Sequence, residues 1–198
     1  MPKKRLPAEE RKKQILKCAV KVFARTNYRS TRVADIAAEA GISEAMVYKH
    51  FPSKNAIYLD VLKHMSTRIL TFWKEEIEKE PDAYQALRNM GITYFRRMSR
   101  HPDELKVQFK AIAEVGNPEI ADRLHQDHQN YMNLIRKVIQ RGIREGSFRK
   151  NVDTTSLGFL FDGVGILMNM MHLLSFGDKF NEKTATKIID HLLESIKA

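Results

Sequence analysis

Residues 33–54 read Val-Ala-Asp-Ile-Ala-Ala-Glu-Ala-Gly-Ile-Ser-Glu-Ala-Met-Val-Tyr-Lys-His-Phe-Pro-Ser-Lys, and their spacing decides the fold. Val33, Ile36, Ala37 and Ala40 recur at three- and four-residue intervals and give one apolar helical face. Gly41 follows where a helix end needs a left-handed residue. Ile42 plugs the corner and Ser43 offers a hydroxyl to cap the next helix. In that second helix Val47 and Phe51 point inward, which leaves Glu44, Ala45, Tyr48 and Lys49 on the outer side. Pro52 stops it at Phe51, because a residue before proline avoids the helical region. Ser53 then caps a third helix that starts at Lys54. Three residues between two helices leave room only for a helix-turn-helix corner. Such a corner occurs in plain all-α cores as well as in proteins that read DNA. The outer face favours DNA, since a merely solvated helix more often carries Glu/Lys pairs than a tyrosine, a lysine and a histidine.

Charge points the same way. The 198-residue, 23.0 kDa chain carries a net charge of +10. Residues 1–54 hold 13 Lys and Arg against 5 Asp and Glu, whereas residues 55–198 hold 21 against 19. A basic patch confined to the first quarter supplies the salt-dependent, sequence-independent part of DNA affinity. The first helix, about Ala8 to Arg25, alternates apolar and charged residues and lacks the aromatic fringe of a bilayer-seeking helix. Residues 1–7, with two prolines and three adjacent cations, read as a basic arm for the minor groove or as a solubilising tail.

Ile36-Ala37, Ala40-Gly41-Ile42-Ser43, Val47-Tyr48, His50-Phe51 and Ser53-Lys54 together resemble the TetR family of one-component transcription regulators, from about Ala8 to about Leu62. The resemblance implies a helix-turn-helix DNA-binding domain over 8–53 and a helical ligand-binding and dimerisation domain over 54–198. It implies a homodimer on a palindromic operator, repression relieved by a small-molecule effector, and a lever helix from Lys54 that resets the spacing of the two recognition helices. The expected DNA-binding residues are Thr31, Arg32, Ser43, Glu44, Ala45, Met46, Tyr48, Lys49, His50 and Lys54. Tyr48 and Lys54 are assigned to phosphates, and Glu44, Ala45 and Lys49 to base edges. Two positions depart from the family. Asn27 stands where glycine is usual, and is expected to take the left-handed turn. The hydroxyl pair that opens the second helix reads Thr31-Arg32, so either Thr31 caps one residue early or Arg32 takes a phosphate itself.

From Lys54 onward the pattern stays helical. Proline or a capping residue interrupts it at Pro81-Asp82, His101-Pro102, Asn117-Pro118, Asp153 and Asn181, for about nine helices and an all-α fold. Residues 157–174 are long and apolar enough for a membrane span, but Asp162, Asn169 and His172 would be costly there. Gly158, Asp162, Gly165, Asn169 and His172 form one stripe of small and polar residues, suited to a subunit interface or a cavity wall. An apolar or amphipathic effector would contact Met65, Phe109, Phe161, Met168 and His172, although core packing competes for the methionines and phenylalanines. His125 and His128 lie three apart, but no cysteine or carboxylate cluster completes a metal site there. No phosphate-cradling loop, nucleophile elbow or paired catalytic carboxylate is present, so neither an enzyme nor a cofactor is expected. The single Cys18 cannot form an internal disulfide and no apolar run follows the basic start, which points to the cytoplasm. A DNA-organising protein and a helical interaction protein without ligand response remain the alternatives.

Overall fold

The structure, a computed structural model, describes residues 6–198, so most of the basic arm lies outside the described residues. Among the described residues nine helices are formed and no strand. They are α1 (Ala8–Arg25), α2 (Val33–Ala40), α3 (Glu44–Tyr48), α4 (Lys54–Lys79), α5 (Ala83–Met98), α6 (Pro102–Ile112), α7 (Pro118–Glu145), α8 (Thr154–Leu173) and α9 (Glu182–Glu194). The local signals act as their chemistry dictates. The side chains of Ser43, Asp82, Asp153 and Asn181 accept from the backbone N–H of Met46, Gln85, Thr155 and Thr184. Pro102 and Pro118 occupy first helical positions, where the missing N–H costs nothing.

Packing divides the chain into two compact units, one holding the residues up to Met65 with Lys106–Leu124, the other Ser66–Leu105 with His125–Ala198. A cut at residue 53 follows the helix-turn-helix sequence. Packing instead adds the start of α4, the end of α6 and the start of α7 to the first unit.

The core of the first unit is built from Ile15, Ala19 and Phe23 of α1, Ile36 of α2, Val47 and Phe51, Ile57 and Tyr58 of α4, Val107 of α6 and Ile120 of α7. The Tyr58 ring meets Phe23 edge-on at 4.7 Å and Tyr28 at 4.9 Å. Its hydroxyl reaches the Val107 carbonyl at 3.5 Å, and burial pushes its pKa well up. Cys18 is half-buried, its thiol 3.6 Å from the Glu39 carbonyl.

In the second unit Phe72 and Trp73 of α4 pack with Leu87, Met90 and Tyr94 of α5, Tyr131, Ile135 and Ile139 of α7, Phe161 and Met168 of α8, and Ile189 and Leu193 of α9. Helix α8 stops at Leu173, and Ser175 follows with a left-handed φ of 59°. Helix α9 stops at Glu194 because the tail is used otherwise. Arg149 N–H donates to the Ile196 carbonyl at 2.9 Å, and Phe148 pairs with Lys197 in an isolated bridge.

Candidate nucleic-acid interface

The corner is set by backbone sterics. Gly41 has φ 63° and ψ 38°, the left-handed region where a side chain is strained. Ile42 N–H then returns to the Ala37 carbonyl at 3.1 Å. Ser43 Oγ accepts from Met46 N–H at 3.3 Å, so its hydroxyl is first a cap. Helix α3 ends at Tyr48, with Lys49 as its cap and His50 N–H turning back to the Val47 carbonyl at 2.9 Å. It therefore stops three residues short of Phe51, where Pro52 was expected to end it. Val47 and Phe51 are buried as expected, and the outer side presents Glu44, Ala45, Tyr48 and Lys49 to solvent. Tyr48 is 50% exposed, an aromatic ring left on the surface. Met46 and His50 are half-buried at the margins of that face.

The structure places the N-cap of α2 at Arg32 and not at Thr31. Thr31 is 1% exposed and its hydroxyl donates to the Asn27 carbonyl at 2.7 Å. It caps nothing and cannot meet a phosphate, so it leaves the set of surface contacts. Arg32 holds the N-cap position of α2, where the Asp35 carboxylate accepts from its N–H at 2.9 Å. The Arg32 guanidinium, also paired to Asp35 at 3.1 Å, stays open to solvent.

Asn27 is corrected as well. Ser175 is the one non-glycine residue at positive φ among the described residues, so Asn27 does not take a left-handed turn. Its Oδ1 instead accepts from the N–H and hydroxyl of Ser30, at 2.8 and 3.0 Å.

Lys54 is engaged by the backbone at the turn before α2. Its Nζ donates to the carbonyls of Arg29 at 3.1 Å and Thr31 at 2.9 Å and lies 4.8 Å from the centre of the Tyr28 ring. Two of its three donors are thereby committed to that turn.

The stripe on α8 faces inward. Asp162 pairs with Nδ1 of His128 at 2.8 Å, Asn169 Nδ2 donates to the Tyr94 hydroxyl at 2.7 Å, and Gly165 would place a Cβ 3.6 Å from the Tyr94 ring. Trp73 continues this lining, 5.7 Å from Tyr94 and 5.3 Å from Tyr131 between ring centres. Its indole Nε1 is buried with no hydrogen-bond partner among the described residues. Asp162, Gly165 and Asn169 of the stripe thus face the interior of the second unit. The opposite face of α8 is the open one, with Phe159, Leu160, Ile166 and Met170 exposed and Leu174 just beyond. Of the five expected ligand residues, Met65 and Phe109 fall in the first unit, and Phe161, Met168 and His172 in the second.

His128 titrates above its ordinary 6.5, first because of its hydrogen bond to Asp162, with the nearby Asp127 acting in the same direction against burial. A raised folded pKa contributes stability that is complete below the unfolded value and lost as pH rises through the folded one. The melting-temperature gap between the native chain and Asp162→Asn is therefore expected to be widest near pH 6 and to shrink towards pH 9. A gap that stays constant over that range contradicts the pair. His125 does not join His128, and no group of three or more His, Cys, Asp or Glu among the described residues is placed to hold a metal.

A three-helix head with a glycine corner, a capped second helix and an open polar face on that helix defines a helix-turn-helix DNA-binding protein. Residues 15–61 match the bacterial regulatory proteins of the tetR family, and residues 109–187 match the tetracyclin repressor-like C-terminal domain. The chain belongs to the TetR family of DNA-binding transcription regulators. The HTH-type transcriptional repressor KstR2 of Rhodococcus jostii is 24% identical over 76% of this chain and 74% of its own. Two solved structures share the fold. The regulator FadR of Bacillus subtilis, in complex with stearoyl-CoA, has a TM-score of 0.78 at 20% identity over 92% of this chain and 95% of its own. A putative regulator of Saccharomonospora viridis, in complex with choline, has a TM-score of 0.79 at 24% identity over 96% and 99%.

Proposed function

We propose that this chain is a ligand-responsive transcriptional repressor that acts in the cytoplasm as a homodimer on a palindromic operator. The observation that carries the reading is the open face of α3, where Glu44, Ala45, Tyr48 and Lys49 stand on one side of a helix locked from behind by Val47 and Phe51. In the major groove a carboxylate accepts from the cytosine amino group, and a lysine donates to guanine O6 and N7. Tyr48 and Arg32 reach the backbone. Two such heads read half-sites about 34–36 Å apart or a multiple of it.

Glu44→Gln tests the base contact. One position of the selected operator is expected to relax, since a good contact discriminates by about 1–3 kcal/mol. A consensus identical at every position means that Glu44 reads no base.

Dimerisation is assigned to the outer face of α8 and to α9. Helix Thr154–Leu173 is long and apolar enough to cross a membrane by length and composition. Its inner side, however, carries Asp162 and Asn169, both hydrogen-bonded within the second unit. A contiguous exposed apolar row of this kind marks an interaction surface, and a second copy of the same row is its natural cover. The effector is assigned to the second unit. The two solved relatives hold unlike ligands, so its class is read from the inner side of α8, where Trp73, Tyr94 and Tyr131 stand beside the polar groups of Asp162, His128 and Asn169, a mixture that fits an amphipathic molecule. Helices α4, α6 and α7 each have residues in both units, the continuity that a ligand signal needs. The ligand shifts DNA affinity only by as much as it prefers the DNA-incompetent state.

A further inference from the structure

We infer that Lys110, on α6, is a positioning residue of the DNA-binding head that fixes the turn between α1 and α2. The segment from Ala24 to Thr31 ends one helix and launches the next, and its own side chains tie only part of it, the Thr26 and Thr31 hydroxyls meeting at 2.6 Å. Beyond the Asn27 bonds, the hydroxyls of Thr26 and Thr31 each close on a carbonyl four residues back. The carbonyls at the C-terminal end of α1 lack intrahelical partners and carry the negative end of the helix dipole.

Lys110 Nζ supplies what is missing there, donating to the Ala24 carbonyl at 2.7 Å and to the Thr26 carbonyl. Lys54 closes the other half of the segment through the carbonyls of Arg29 and Thr31. Two ammonium groups thus hold four carbonyls of eight residues, and neither comes from the segment itself.

The same corner of α6 and α7 grips the segment's side chains. Glu114, 9% exposed, accepts from Arg29 Nε at 3.0 Å. Asn117 and Glu119 both bond Asn55, which accepts from the Tyr28 hydroxyl at 3.1 Å. Residues 106–124 accordingly pack in one unit with the helix-turn-helix.

The functional consequence follows from position. Arg32 is the next residue and caps α2, and α2 sets the corner that carries α3. If the turn is released, the exposed guanidinium and the recognition helix lose a fixed relation to each other. A lysine that touches phosphate lowers the salt slope of binding when removed, by about one unit. Lys110 faces carbonyls, so its removal should lower affinity and leave the slope unchanged.

The test is Lys110→Met, which keeps an apolar stem and removes the donors. In the DNA-free protein, amide exchange over residues 26–33 should accelerate about tenfold or more, while α5, α8 and α9 keep native exchange. Affinity for the selected operator should fall about tenfold at every salt concentration with the slope unchanged. Lys110→Gln, with one donating group on a shorter stem, should give an intermediate effect and serves if the methionine variant exchanges globally. Unchanged exchange in the turn overturns the inference, and so does a slope lowered by one unit. The affinity arm rests on the DNA-binding reading, but the exchange arm does not. A wild-type chain that selects no DNA would sink that reading and leave the turn still decided by exchange.

Discussion

The double variant Phe159→Glu, Ile166→Glu is expected to sediment as a 23.0 kDa monomer at micromolar concentration, where the native chain sediments at twice that mass. Phe159 is 61% exposed and Ile166 40% exposed, so neither carboxylate disturbs the core of the subunit. In a symmetric dimer the same two positions meet their own copies, and four carboxylates would be buried without partners. The desolvation penalty is several kcal/mol per ion, more than an interface of about 800 Å² per partner can absorb. Operator affinity should then fall by about a hundredfold or more, because the second head no longer binds as an intramolecular event. Gly165→Leu, aimed at the inner stripe, should instead press on Tyr94 and leave the mass unchanged. A double variant that remains dimeric moves the interface elsewhere. A monomeric native chain refutes the homodimer itself.

Gly142→Val is expected to lower the melting temperature by about 6–20 °C, at about 2–4 °C per kcal/mol for a chain of this size. A Cβ at Gly142 would lie 2.2 Å from the Phe148 ring and 2.9 Å from the Ala83 Cβ. Phe148 is 1% exposed, and displacing it forfeits about the 3–5 kcal/mol that such a ring contributes. The loss does not stay local. Ser147 and Phe148 N–H both return to the Gly142 carbonyl, and the strap that follows holds the C-terminal tail through Arg149 and Ile196. A scan shifted by less than about 2 °C would mean that the ring has an alternative seat, and that overpacking there costs less than its usual ~1–3 kcal/mol.

The helices were legible because their signals are local. Proline, glycine and capping side chains act within one turn, so Gly41, Pro52, Asp82, Pro102, Asn117, Asp153 and Asn181 fall where their chemistry puts them. The outer face of α3 was legible for the same reason, since Val47 and Phe51 define the buried side. Helix α8 was not. Both of its sides are apolar, and periodicity cannot say which faces a partner; the polar stripe proved to be the inner side because Asp162 and Asn169 find His128 and Tyr94 there. Lys54 also escaped, because its acceptors are backbone carbonyls more than twenty residues away, which no side-chain pattern encodes. Lys110 is the extreme case: 86 residues from Ala24, on a helix with no motif of its own.

As proposed, the protein recognises DNA by sequence through a symmetric pair of heads. Selection of bound sequences from random duplex DNA tests it most directly. The expected product is a palindrome whose half-sites are separated by about one helical turn or a multiple of it. Recovery of sequences with no shared consensus would contradict the account.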